Sequence, residues 1–538
     1  MAGEKGQNYL HGAAILTFGV FIIKILGAIY KIPLGNILGT QGFAYFTVAY
    51  NIYNFLLTLS TAGLPVALSR MISEAHTLGR PAQVKRVFNV AWMTFFILGT
   101  VGSLVMFLFP TDLAVFMGNA KASQSIWAMS PSVLLVCLMS AYRGYTQGHS
   151  DMKPTTVSQV IEVAVKVVVG LVLALLLAKY SKSDALSSAG AIFGVTVGSI
   201  VALIYLYVEK KRAERIYLGV DMTADTPDST GVVFSKLLKV GIPIALGSSL
   251  SSLITLIDTK LVLNRLELAA GFVKDDAAHL FGVYSEAITM FNLPAAFITP
   301  LTISVVPAIA ACAAVRKKYE AKEIAESSMR IATIVAIPMG IGLFVLAEPI
   351  MAVIYPNSGD VGAPLLAIMG ISSYFVCMAL MSTAILQAYG CERLPVYSMV
   401  IGGIVKIAVN WILVGNPSVN IYGAPIGTLC CYIVMCVSNY IFLCRRLVER
   451  PSLKKILLRP FITAAAMGAG AWAVYGLCEK IVFGGNMGRM PMLLSMAASI
   501  CVAVIVYVVL VIALRAVTLD DMKLIPKGEK LASMLHIR

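Results

Sequence analysis

Long apolar runs constrain this chain more than any other feature. Roughly fourteen of them are each long enough to cross about 30 Å of hydrocarbon. They fall at 12–33, 44–69, 88–109, 126–147, 155–178, 188–208, 239–263, 280–312, 328–347, 362–388, 396–415, 422–444, 457–478 and 491–514. Backbone groups inside a bilayer must bond within their own segment or within a closed barrel, and runs of this length are helical. The expected fold is therefore an all-α integral membrane protein of about 14 transmembrane helices. Composition agrees, with 59% hydrophobic and only 13% charged residues against about 25% charged in soluble chains. The first run is interrupted by Lys24 and has no small-residue cleavage site after it, so it is expected to remain as a helix.

A net charge of +15 is compatible with nucleic acid, but its placement argues for a membrane. With the amino terminus taken as cytoplasmic, most Lys and Arg fall in cytoplasmic segments. Clusters such as Lys210, Lys211 and Arg212, or Arg445, Arg446 and Arg450, then follow the positive-inside rule. An even span count puts both termini in the cytoplasm. The ten cysteines make no Cys-x-x-Cys or Cys/His spacing, which leaves them as packing residues.

The stretch RGYTQGHSDMKPTTVSQVIEVAVKV, Arg143 to Val167, places polar residues between two apolar runs. One helix should end near Gly148 and the next start at Pro154, where a missing N–H costs nothing. Gln159, Glu162 and Lys166 then share one helix face. A second copy, LQAYGCERLPVYSMVIGGIVKIAVN from Leu386 to Asn410, repeats Gln, Pro and Lys in order. Gln147 to Lys166 and Gln387 to Lys406 each span 19 residues. Each copy leads into Gly-Ala-x-x-Gly, at Gly190, Ala191 and Gly194 and at Gly423, Ala424 and Gly427. The matches imply two homologous halves. The expected division is an N-lobe 1–208, a cytoplasmic linker 209–236, a C-lobe 237–445, two further helices within 446–515, and a cytoplasmic tail 516–538.

Five lysines fall within spans: Lys24, Lys31, Lys166, Lys260 and Lys406. Each costs about 2.5–3.5 kcal/mol at a helix centre on the insertion scale. Lys31 and Lys260 are near enough to span ends to snorkel. Lys24 and Lys31 share a face about 10 Å apart if their helix persists to Pro33. The acidic residues in or near spans are Glu162, Asp258, Glu286 and Glu348. Glu162 precedes Lys166 by four and is placed to pair with it, and Glu348, before Pro349, reads as solvated. Asp258 follows Ser248, Ser251, Ser252 and Thr255 on a span that reads either as a face turned from lipid or as a helix-packing seam. Arg70 and Arg143 lie near the expected cytoplasmic ends of spans 2 and 4. Pro65 in span 2 and Pro294, Pro300 and Pro307 in span 8 predict bends.

The stretches KILGAIYKIPLGNILG (Lys24–Gly39), STAGLPVALSRMISE (Ser60–Glu74), RGYTQG with MKPTTVSQVIE, and LQAYG with GGIVKIAVN resemble the lipid II flippase family, MurJ. The likeness is to its Gram-positive, stage V sporulation protein B-like branch, within the multidrug/oligosaccharidyl-lipid/polysaccharide exporter superfamily. The resemblance implies a V-shaped transporter with two six-helix lobes, a central cavity, and a lipid-tail groove at spans 13 and 14. It implies outward flipping of undecaprenyl-diphosphate-linked disaccharide-pentapeptide in the bacterial cytoplasmic membrane, with membrane lipids and cell-wall synthesis proteins as partners. No cofactor is implied beyond coupling to membrane potential or a monovalent cation.

Residue by residue, the resemblance marks Lys24, Lys31, Arg70, Arg143, Gln147 and Glu162 for substrate, and the intramembrane Lys166 and the repeat's Gln387 join them as substrate candidates. It sets Asp258, Lys406 and Asn410 together as a coupling or charge-pair group, with Lys406 as a tethered cation. A lysine where relatives often have arginine keeps the charge but loses the bidentate fork. Independently of the resemblance, a lysine- and arginine-lined cavity attracts a diphosphate headgroup. A drug or cation antiporter would offer dominant carboxylates instead. Another polyprenyl-linked polysaccharide, of teichoic acid, capsule or O-antigen type, shares the same anchor chemistry. A membrane glycosyltransferase would need carboxylates or a metal motif at one membrane face, yet the adjacent aspartates Asp275/Asp276 and Asp520/Asp521 lie in connecting or terminal segments.

Overall fold

The computed structural model describes the backbone of residues 2–149, 151–216, 225–314, 317–447, 452–482, 488–514 and 517. Among these residues every regular element is a helix. The side chain of Lys24, those of most residues before Ile22, and the 516–538 tail apart from residue 517 lie outside the described residues.

The first helix, α1 (Ala2–Thr61), is broken at Gly39, where φ 64° and ψ 176° are not helical. A straight helix would separate residues 30 and 46 by about 24 Å, yet the Tyr30 and Phe46 rings lie 6.1 Å apart. The chain therefore folds back at Gly39, in a conformation that glycine adopts without a Cβ penalty. Thirteen stretches of described residues are long and apolar enough to cross a membrane. The first of them, Ile29–Thr77, contains this fold-back, so the expected runs 12–33 and 44–69 are distinct limbs. The many-helix membrane fold read from the sequence is the fold observed.

The remaining helices are α2 (Leu64–Thr77), α3 (Pro81–Leu108), α4 (Pro110–Phe116), α5 (Ser123–Gly148), α6 (Lys153–Ser181), α7 (Asp184–Ile216), α8 (Thr230–Leu268), α9 (Lys274–Ala314), α10 (Lys318–Val345), α11 (Ala347–Ile354), α12 (Gly359–Ala388), α13 (Arg393–Leu413), α14 (Gly423–Arg446), α15 (Leu453–Leu477) and α16 (Arg489–Ala513). Two short helices, α4 and α11, occupy corresponding places and have no counterpart among the apolar runs. The repeat is visible in packing as well. α3 lies on α5, and α7 on both α5 and α6, while α10 lies on α12, and α14 on both α12 and α13.

The Gly-Ala-x-x-Gly segments form the tightest of these seams. A Cβ on Gly194 would stand 2.6 Å from Gly170 and 2.9 Å from the Lys166 carbonyl oxygen. A Cβ on Gly427 would strike the Asn410 side chain and stand 3.3 Å from the Lys406 carbonyl oxygen. In both copies the second glycine thus closes on the backbone of the matching lysine.

By internal packing the chain divides into two compact units, 1–264 with 273–282 and 265–272 with 283–538. The first unit takes in most of α8, because α8 lies along the limb of α1 after Gly39. Asn51 Nδ2 donates to Thr259 Oγ1 (2.9 Å), Thr58 and Ser252 share a 3.0 Å hydroxyl bond, and Gly63 abuts Gly241 and Ala245. Thr40 bonds His279, and Gln41 reaches the Asp275 carbonyl, which ties the start of α9 to the same unit. Phe95, Met129, Cys137, Ile192 and Val195 are in its core. In the second unit Met329, Ala332, Cys377, Met381 and Ile385 form a buried cluster with Leu443 and Ile456. Large apolar side chains such as Leu104, Phe107, Val168, Leu175, Ile404, Val504 and Ile505 point outward, as a protein surrounded by lipid requires.

Candidate functional site

The turn between α5 and α6 is built as its sequence predicts. α5 ends at Gly148, which packs on Ile72 and the Ser69 carbonyl of α2, and α6 begins at Lys153 with Pro154 in its first turn. Asp151 accepts the Lys153 backbone N–H at 3.0 Å. Across this turn Arg143 Nη2 meets Glu162 Oε2 at 2.8 Å, with side chains 13% and 17% exposed. Arg143 Nε also donates to Ser158 Oγ (3.1 Å), and Gln147 Nε2 donates to Thr155 Oγ1 (3.3 Å). Arg143, Gln147 and Glu162 are thus bonded between α5 and α6.

The Glu162–Lys166 pairing open from the i, i+4 spacing is not the one formed. Glu162 faces α5, where a bidentate-capable guanidinium meets it, and Lys166 turns toward α1. There its ammonium lies 5.6 Å from the Tyr30 ring centroid and 5.8 Å from that of Tyr50. Lys31 stands 5.8 Å from the same Tyr50 ring. Two cations on different helices therefore share one aromatic ring, each contact worth about 0.5–2 kcal/mol. Tyr30 is fixed by its hydroxyl, which donates to the Ala191 carbonyl at 2.9 Å, and Tyr50 by stacking on Phe46 at 5.6 Å. The tyrosines were not singled out in the sequence. The signal that would have found them is the density of aromatics around Lys31: Tyr30, Tyr45, Phe46, Tyr50 and Tyr53.

The other candidates lie on several further helices. Arg70 is exposed on α2, and Gln387 is exposed at the end of α12. Lys260 sits over the Phe116 ring at 3.3 Å, a local anchor on α4. Asp258 is 6% exposed in the first unit, Asn410 is fully buried in the second, and Lys406 is half-buried there. Of the serine-rich face of α8, Ser252 is bonded to α1, while Ser248, Ser251 and Thr255 are exposed.

In the second copy, residues at the Arg143 and Glu162 positions of the register are Thr383 and Gly402. Asn439 donates to Ser382 and Thr383 there instead (3.1 and 3.2 Å). Within the second unit an apolar groove of about 640 Å³ lies between α10, α12 and α15. Ile341, Phe344, Ile371, Tyr374 and Phe461 line it, and it carries one cation, Lys454.

Residues 9–313, more than half of the chain, match the family model described as polysaccharide biosynthesis protein. The chain belongs to that family. A second model, MatE, matches residues 243–412. Among the chain's relatives, the membrane protein YabM of Bacillus subtilis is 26% identical, with 100% of this chain and 98% of that one covered. The lipid II flippase MurJ of the same organism is 25% identical over 88% of each chain, and its stage V sporulation protein B is 24% identical over 97% and 98%. The solved lipid II flippase MurJ in an inward closed conformation superposes with a TM-score of 0.67 at 14% identity, covering 93% of this chain and 99% of that one. That likeness fixes the fold. The resemblance to the lipid II flippase and stage V sporulation protein B branch therefore holds across nearly the whole chain of this family member.

Proposed function

We propose that the protein is an alternating-access flippase that moves an undecaprenyl-diphosphate-linked peptidoglycan precursor, lipid II, from the cytoplasmic to the outer leaflet. The observation that carries the reading is the Lys31–Tyr50–Lys166 arrangement. Glu162 is bonded to Arg143, so Lys166 lies within a membrane-spanning helix beside aromatic rings rather than against that carboxylate, a position that is costly unless it serves an anionic ligand. A diphosphate supplies that anion. The groove between α10, α12 and α15 offers an apolar surface for the polyprenyl tail, with Lys454 beside it. Relatives bearing the lipid II flippase name support the same substrate class, and both termini are cytoplasmic in this reading. The deciding experiment is depletion of the protein followed by identification of the lipid-linked precursor that builds up in the cytoplasmic leaflet. Accumulation of a teichoic acid, capsule or O-antigen precursor in place of lipid II would reassign the cargo. A normal leaflet distribution of all such lipids would refute the flippase reading.

A further inference from the structure

The second unit holds a carboxyl group that the flippase reading does not use. Glu286, on α9, is 1% exposed, and its Oε2 has no hydrogen-bond partner among the described residues. Tyr355, which follows α11 and is itself 1% exposed, lies within electrostatic reach of Glu286, with Thr289 beside its hydroxyl. α14 contributes Thr428, bonded to Tyr284 at 3.2 Å, and no charge. On α9 itself the preceding titratable side chains are Tyr284, bonded to Thr428, and His279, two turns away and bonded to Thr40.

An ionised carboxylate in such a place would be an uncompensated charge in an apolar interior. That state is costly enough that the group neutralises instead. The chain on either side of Tyr355 reaches the surface. Residues on either side of it in the chain, Met351, Ala352, Pro356 and Ser358, line an open cleft of about 560 Å³ that also carries Glu348 and Asp360. The guanidinium in this cleft, Arg489, is held by the Val353 carbonyl at 2.9 Å. Two exposed carboxylates at the mouth favour local proton concentration.

We propose that Glu286 is a proton-binding site, loaded from this acidic cleft by way of Tyr355. One proton passes from cleft water to the Tyr355 oxygen as the phenol gives its own proton to Glu286, so the phenol ends neutral and the carboxylate becomes a carboxylic acid. Glu286 and Tyr355 are not bonded to each other, so transfer requires a water between them or rotation of one side chain. Use of this proton to drive the flipping cycle rests on the flippase reading, whereas its binding does not.

The test is infrared difference spectroscopy on the purified full chain in liposomes, without substrate, after a jump from acid to alkaline pH. The expected result is a carboxylic acid C=O band that shifts in D₂O, disappears in Glu286→Gln and persists in Tyr355→Phe with several-fold slower proton exchange. A band unchanged in Glu286→Gln, or absent from the wild type, overturns the site. Loss of the band on adding sodium at constant pH assigns the carboxylate to a metal ion and likewise overturns it. Equal exchange rates in Tyr355→Phe and wild type overturn the route. Flipping is then measured separately with and without a protonophore. An intact band with protonophore-insensitive flipping would reject the coupling alone.

Discussion

Arg143→Ala separates structural from ligand-binding charge. The side chains of Arg143 and Glu162 are 13% and 17% exposed, so truncating the arginine strands a largely desolvated carboxylate at a cost of about 3–5 kcal/mol. Ser158 loses a donor but stays satisfied through its own bond to the Thr155 carbonyl at 2.8 Å. Glu162 then has one cation within a helical turn, Lys166, and an i, i+4 pair of that kind returns only about 0.5 kcal/mol. The return comes with a loss, because Lys166 leaves the Tyr30 and Tyr50 rings. Arg143→Ala should therefore reduce both stability and flipping. Arg143→Ala with Glu162→Ala should recover at least about 1 kcal/mol relative to the sum of the singles, and part of the flipping as well. Denaturant unfolding in detergent micelles and a reconstituted flipping assay give the two readouts. Stabilities additive within about 0.5 kcal/mol, or a double variant no better at flipping than Arg143→Ala, would refute the assignment of Glu162 to Arg143.

Lys166→Ala should abolish most flipping at equal expression while Lys166→Arg retains much of it, and Tyr50→Leu should fall between them, measured by complementation and in vesicles. At the end of α5, burial pushes the His149 imidazole below its ordinary range. The Tyr145 carbonyl at 2.9 Å opposes that shift, and nearby His76 adds to it. A base that resists protonation when folded loses stability as pH falls below about 6.5, its unfolded value. The melting temperature should accordingly drop between about pH 6.5 and the lower folded value, and His149→Asn should flatten that slope. Gly194→Leu should unseat α7 from α6 and cost more than the ~1–3 kcal/mol usual for overpacking, because the obstacles are backbone atoms. The same change at half-buried Gly470, where a Cβ meets no atom within 4 Å, should leave thermal stability nearly unchanged. Cysteines introduced between 265 and 278 should react with an impermeant reagent from outside the cell, and labelling from the inside only would overturn the proposed topology.

The sequence made the spans, the α5–α6 turn and the repeat legible because hydrophobic length, Gly148 with Pro154, and glycine spacing act through local geometry. It did not reveal which partner Glu162 takes. Spacing along one helix favours Lys166, while the partner formed, Arg143, lies 19 residues earlier across a turn. The Tyr50 platform was hidden for the same reason, since Lys31 and Lys166 meet only once α1 folds back at Gly39. Glu286 was visible as an intramembrane acid, but its unbonded oxygen and its relation to Tyr355 depend on tertiary packing.

In both halves the seam glycine presses on a lysine's carbonyl oxygen, at Gly194 on Lys166 and at Gly427 on Lys406. Backbone atoms are the same for every residue type, so this joint does not read the side chain it touches. A duplicated gene can then rewrite positions 166 and 406 independently, trading a lysine for a carboxylate or a neutral residue, while the helix pair beneath stays assembled. The mechanical frame and the chemistry it displays are inherited separately, which is how one architecture can change cargo by changing a few side chains and no helix.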